Sequence, residues 1–315
     1  TYFSLRYGTF STGELVRAGL MAGASALALT NINSTADTWD FVEACQKEGI
    51  HPIAGVEIRN DHRFLYVLLA ANNRGFQWIN AFLTRHFQSG LPYPDSAEQE
   101  PFFDHPEDGF VIYPPGGRDP ARLFSNERIG FTPWELNKLY GWPLDRYRSK
   151  LLLRQPVTFQ NKTYYNLHRL LRAVDNNLLL SKLPADQQAH PGEYFVPQEE
   201  IIRACKQYPF LVSNTYRLME ECRIEMDFGK DKNKKQFSAS RDDDRALLAK
   251  LARDGCISRY GRGHRKAEER VEKELGIIDQ MGFNAYFLIT WDIIRYARSR
   301  GYFYVGRGSG ANSIV

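Results

Sequence analysis

From Ser11 to Leu83, short apolar runs alternate with amphipathic helical stretches, and no other feature of the chain narrows its fold as much. Ser11-Thr12-Gly13-Glu14 has the pattern of a capping box, in which a hydroxyl and a carboxylate each satisfy a free backbone N–H. Behind it Leu15, Ala18, Gly19 and Ala22 mark one helix face. Ala26 to Thr30 reads as a short strand, a second helix carries Trp39, Phe41, Val42 and Cys45, and a strand follows from Pro52 to Ile58. Phe64 to Ala71 is another strand, and Phe76, Ile79, Phe82 and Leu83 line the helix after it. Helices alternating with apolar strands predict βα units on a parallel sheet.

The middle of the chain is less regular. Residues 88–108 are rich in Pro, Asp, Glu and Ser and read as a surface loop, partly tied down by Tyr93, Phe102 and Phe103. Further strands are expected at Gly109–Tyr113, Lys150–Arg154 and Pro156–Gln160. A helix is expected over Tyr164–Leu180, with Leu167, Leu170, Leu171 and Val174 on one side. Ile201–Met226 reads as two helices broken at Pro209. Gly229 and the lysine-rich residues to Lys235 form the best linker. Beyond it the pattern changes to long helices at about 241–258, 264–281 and 284–299. The chain therefore divides into 1–228 and 229–315.

Charge follows the same division. The net of +4 splits into −3 over residues 1–228 and +7 over 229–315, which fits nucleic-acid contact in the second part. No apolar run approaches the length needed to cross a bilayer. Cys45, Cys205, Cys222 and Cys256 lie far apart with no CxxC pair, so they read as buried, reduced thiols of a cytoplasmic protein.

The end of the chain carries the most specific motif. Met281-Gly282-Phe283 leads into the amphipathic stretch Tyr286–Ala297, then the aromatic run Tyr302-Phe303-Tyr304-Val305, then Gly306-Arg307-Gly308-Ser309-Gly310. Glycines let backbone N–H groups approach an anion, and Arg307 offers a planar fork for phosphate oxygens. This order of motifs resembles the start of the palm domain in the bacterial DNA polymerase III alpha subunit family. The resemblance implies that Arg307, Gly308 and Ser309 lie beside the triphosphate of an incoming nucleotide. Val305-Gly306 stands where the family usually has Pro-Gly, and Asn312 where a glycine is common. The family's magnesium-binding palm aspartates lie on strands beyond this turn. The resemblance thus implies a fragment of a magnesium-dependent polymerase with no polymerase activity of its own.

The first part resembles a PHP (polymerase and histidinol phosphatase) domain, which implies a distorted (β/α) barrel. Active members hold two or three metal ions on His, Asp and Glu at strand ends and hydrolyse phosphoesters. In this chain Tyr2 and Tyr7 stand at acidic positions of the opening motif. Thr30-Asn31-Ile32 stands where Thr-Asp-His is usual, and Thr158–Lys162 offers neither acid nor imidazole. Only Gly55-Val56-Glu57 keeps its carboxylate, so Glu57 is the residual metal position, and it reads as a buried carboxylate paired with a nearby arginine such as Arg6. The seven histidines, His168 within its helix included, read as surface or capping residues. The PHP domain is then expected to be a metal-free scaffold. The alternatives are a phosphoesterase or 3′–5′ exonuclease using Zn²⁺ or Mn²⁺, or a protein-binding module. Arg259, Arg262, Arg265 and Lys266, interleaved with Tyr260 and two glycines, read equally as a DNA-backbone contact and as a solvated turn. The resemblance implies primer–template DNA, deoxynucleotides, a sliding clamp, a clamp loader and a proofreading exonuclease as partners, and no membrane.

Overall fold

Ser11 caps the first helix as its sequence requires. The Glu14 N–H donates to its hydroxyl at 3.3 Å, and the Ser11 N–H donates back to the Glu14 carboxylate at 2.8 Å. Helix α1 (Thr12–Met21) is followed by β1 (Ala26–Leu29), α2 (Thr38–Glu48), β2 (His51–Asn60), β3 (Arg63–Ala70) and α3 (Asn73–Ser89). The computed structural model describes residues 1–97 and 105–315. Of the aromatics expected to anchor the following loop, Phe102 and Phe103 lie outside the described residues. Tyr93 does anchor it. Its N–H donates to Asn60 Oδ1 at 2.9 Å, and its carbonyl accepts from Asn60 Nδ2 at 2.8 Å.

Strands β4 (Gly109–Tyr113), β5 (Glu127–Phe131) and β6 (Leu151–Leu153) complete a six-stranded sheet in sequence order. The pairs β1–β2, β4–β5 and β5–β6 are parallel, but β2–β3 and β3–β4 are antiparallel. The parallel expectation fails at β2–β3 for a reason visible in the chain. Only Asp61 and His62 separate β2 from β3, too few residues for a crossover. Asp61 takes the left-handed conformation (φ 52°) of a tight turn. Strand β5 escapes the sequence reading because Glu127, Arg128 and Gly130 interrupt its apolar pattern. No strand forms at 156–160.

Side chains alternate across the sheet. Ala54, Val56, Ile58, Leu68 and Val111 pack on one side with Val16, Phe41 and Phe82 of the first three helices. Ile53, Val67, Leu69, Ile112 and Leu152 face the other way and meet Leu218. Residues of β1 at one edge and Leu152 and Leu153 at the other line a common cavity, so the sheet curls into a half-barrel. Helix α4 (Leu144–Tyr147) lies between β5 and β6, α5 (Lys162–Asp175), α6 (Gln198–Ala204) and α7 (Pro209–Glu221) follow β6, and Leu218 of α7 covers the inner face.

Helix α5 differs from expectation in length and in facing. Asn177 is left-handed (φ 52°), and the helix ends at Asp175. It buries His168, Arg172 and Ala173, while Leu167, Leu170 and Val174 are exposed. Here polar contacts to the Tyr7 segment outcompete the apolar stripe.

Gly75 in the first turn of α3 fixes how that helix meets β4. A Cβ there would lie 1.8 Å from the Asp108 carbonyl oxygen, a backbone atom that cannot swing away. Gly75→Ala is expected to cost roughly 1–3 kcal/mol or more. An unchanged midpoint in denaturant unfolding would contradict this packing.

The described residues form two compact units, Thr1–Phe228 and Gly229–Val315. The second contains α8 (Arg241–Tyr260), α9 (Arg265–Gln280) and α10 (Asn284–Ser299). Ser240 caps α8 by accepting the Asp243 N–H at 3.1 Å. Leu248, Ile278 and Leu288 centre one apolar cluster, and Ala252, Cys256, Ala267 and Val271 another. Tyr302–Val305 belongs to no strand, and its side chains are exposed. All four cysteines are buried and free.

Candidate functional site

Glu57 lies on the inner face of β2, level with Val67 of β3 and Ile112 of β4. Residues leaving β1 close over it. Ile32 forms an isolated bridge to Glu57, the Glu57 N–H donates to the Asn31 carbonyl at 3.1 Å, and the Asn33 N–H donates to the Glu57 carbonyl at 2.8 Å. The backbone of Glu57 is therefore fixed from both sides at this end of β2.

A guanidinium occupies the space before it. Arg59 Nε donates to Glu57 Oε1 at 2.6 Å, and Arg59 Nη2 donates to the Tyr7 hydroxyl at 3.1 Å. The Arg59 guanidinium carbon also lies 4.6 Å from the Tyr7 ring centre, with that of Arg172 at 5.5 Å. Both side chains of the pair are largely buried, 11% of Glu57 and 14% of Arg59 remaining exposed. Burial disfavours the charged guanidinium, but Glu57 and Tyr7 outweigh it and hold Arg59 protonated. Burial, with Glu193 adding to it, pushes the Tyr7 hydroxyl up, so Tyr7 stays neutral. Burial also raises the Glu193 carboxyl above its ordinary range, with the neighbouring Glu57 adding to the rise. The Thr158 hydroxyl donates to Glu193 at 2.5 Å.

This corrects the pairing expected for Glu57. Arg6 is bound elsewhere, to Asp175 at 2.9 Å, and Arg59 is the partner. The signal was present in the sequence, because residues i and i+2 of a strand share a face. His168 also departs from expectation. It is fully buried, its Nε2 accepts the Ala189 N–H at 2.8 Å, and its Nδ1–H donates to the Tyr7 carbonyl at 2.7 Å. Burial, assisted by Arg172 and Arg59, lowers its pKa to about 4. His168 thus locks the Tyr7 segment onto α5.

These residues do not fit a dinuclear metal centre. Asn31 Oδ1 accepts the Ser4 hydroxyl at 3.1 Å, and its Nδ2 donates to the Ala36 carbonyl at 3.2 Å, so its side chain is committed to the fold. Tyr2 is exposed and lies against Phe3. A cation brought to Glu57 would meet the Arg59 guanidinium already there. Elsewhere, His105, Glu107 and Asp108 present three donor atoms within 4.8 Å of one another, just before β4. Arg74 claims both carboxylates, at 2.6 Å from Asp108 and 3.0 Å from Glu107. Burial works to raise the Asp108 carboxyl, but its bonds to Arg74 and Asn72 prevail and hold it below the usual range.

In the second unit the residues singled out from sequence lie at two turns. Arg259, Arg262, Arg265 and Lys266 are exposed around the α8–α9 connection, and Arg265 pairs with Glu269 at 2.9 Å. Arg307 is exposed, and Gly308 takes a positive φ (86°) at the start of the short 3₁₀ turn Ser309–Asn312.

Comparison with known proteins places both parts. Residues 1–111 match the PHP domain family, and residues 246–315 match the family described as the bacterial DNA polymerase III alpha NTPase domain. The curled mixed sheet agrees with the first match, and the second match follows it along the chain. More particularly, the chain is similar to bacterial DNA polymerase III alpha subunits along nearly its whole length. It is 26% identical to the alpha subunit of Halalkalibacterium halodurans over 96% of this chain and 29% of that protein. Against the alpha subunit of Bacillus subtilis the figures are 25%, 99% and 30%. Against an error-prone DNA polymerase of Symbiobacterium thermophilum they are 24%, 99% and 33%. The chain thus spans a third or less of these relatives' length. No helix among the described residues is long and apolar enough to cross a membrane.

Proposed function

We propose that this chain is the PHP domain (1–228) and the opening of the palm (229–315) of a cytoplasmic replicative polymerase. The whole protein would extend a primer on a DNA template with magnesium, beside a sliding clamp, a clamp loader and a proofreading exonuclease. The PHP domain serves as a rigid scaffold and hydrolyses nothing. The observation that carries this reading is the Arg59 guanidinium 2.6 Å from Glu57, a fixed internal cation where a phosphoesterase needs an exchangeable metal-bound water. Arg307, Gly308 and Ser309 would face the nucleotide's triphosphate. Arg259, Arg262 and Lys266 would contact the DNA backbone, with Arg265 partly neutralised by Glu269.

Two assays test this. With Mn²⁺ or Zn²⁺, the chain is expected to leave an end-labelled primer intact. Digestion that disappears in Glu57→Ala would overturn the scaffold reading. In fluorescence anisotropy with primer–template DNA, Arg259→Ala/Arg262→Ala/Lys266→Ala is expected to weaken binding equally for all sequences and to reduce the salt slope by about 1 per phosphate contact removed. An unchanged slope would make that segment a solvated turn.

A further inference from the structure

The inner face of the half-barrel lines an open cavity of about 310 Å³ that no part of the proposed polymerase function uses. Leu29, Ile53, Leu69, Ile112 and Leu152 are among its lining residues. Its size is at the lower end of small-molecule sites. Apolar walls of this kind hold water poorly and favour an apolar occupant.

Two charged side chains line it, Glu57 and Arg154. Glu57 is neutralised by Arg59. Arg154 is two residues past the inward-facing Leu152, and its N–H extends the sheet by donating to the Phe131 carbonyl at 2.7 Å. Its guanidinium stacks on Phe64, 4.5 Å from the ring centre. Arg154 Nε is buried with no hydrogen-bond partner, and Arg154 makes no ion pair among the described residues. Arg154 as a whole is half-buried, and a cation held against apolar walls without a counter-ion is costly. A bound anion supplies the missing counter-charge.

We propose that this cavity binds an aliphatic monocarboxylate, its chain against Leu29, Ile53, Leu69 and Leu152 and its carboxylate on Arg154. A single unpaired guanidinium matches a monoanion. The paired state of Glu57 spares that anion the repulsion of a free carboxylate. The way in passes Ala28, a lining residue that is itself exposed. This assignment does not depend on the polymerase reading.

Isothermal titration of the chain with sodium decanoate and with decan-1-ol tests it. Both are expected to bind saturably, decanoate more tightly. Arg154→Met is expected to lower decanoate affinity at least about tenfold, the usual worth of a charge-assisted bond, and to leave decanol unaffected. Ala28→Trp, which fills the cavity from an exposed position, is expected to weaken both. Thermal melts establish that each variant is folded before it is titrated. No saturable binding of either compound by the unaltered chain overturns the proposal. So does a folded Arg154→Met that holds decanoate as tightly as before.

Discussion

Arg59→Met is expected to destabilise the first unit by about 3–5 kcal/mol, because it strands the buried Glu57 carboxylate without its counter-charge. The methionine keeps much of the side-chain volume, so the loss reports charge rather than packing. Removing both charges in Glu57→Gln/Arg59→Met is expected to recover most of the stability, since a neutral pair needs no compensation. Denaturant unfolding of the two variants beside the unaltered chain measures the coupling. If the double variant is no more stable than Arg59→Met, the pair does not act as an internal ion pair, and the closed site loses its physical basis.

The second large effect is on pH dependence. His168 has its pKa lowered to about 4 by burial, with Arg172 and Arg59 pushing the same way and the Tyr7 carbonyl opposing. The unfolded chain has an ordinary histidine near 6.5, so between those values the unfolded state binds more protons than the folded state. The contribution is therefore fully present above pH ~6.5 and is lost as pH falls toward 4, up to roughly 3 kcal/mol in all. His168→Gln is expected to be less stable than the unaltered chain at pH 7 but to lose less on going to pH 4.5. Carboxylates such as Asp108 and Asp175 titrate alike in both proteins, so the comparison isolates the histidine. Equal losses in the two proteins would contradict the neutral, buried role of His168.

Local signals in the sequence were reliable where one interaction decided the outcome. The Ser11–Glu14 box caps α1, and the three long helices of residues 229–315 lie where their spacing puts them. Sequence failed where partners are distant along the chain. The α5 leucine stripe is exposed because His168 and Arg172 are drawn inward by Tyr7, His62 and the Gln187 and Ala189 backbone, contacts no periodicity reveals. Strand β5 was hidden because Glu127, unusual in a buried strand, is compensated by Arg118 at 3.0 Å and the Tyr113 hydroxyl at 2.9 Å. At the candidate site, the departures from the PHP pattern at Tyr7, Asn31 and Ile32 were legible residue by residue. The partner of Glu57 was not, although Glu57 and Arg59 stand at strand spacing, because only the folded sheet brings the Tyr7 hydroxyl to the same guanidinium.

The most direct test of the central claim is the metal content of the chain after incubation with Zn²⁺ and Mn²⁺ and desalting, read by inductively coupled plasma mass spectrometry. An internal Arg59–Glu57 pair predicts far less than one ion per chain, with thermal stability unmoved by either metal. One or more tightly held ions per chain, lost in Glu57→Ala, would show that the half-barrel still carries a metal centre and would contradict the scaffold account.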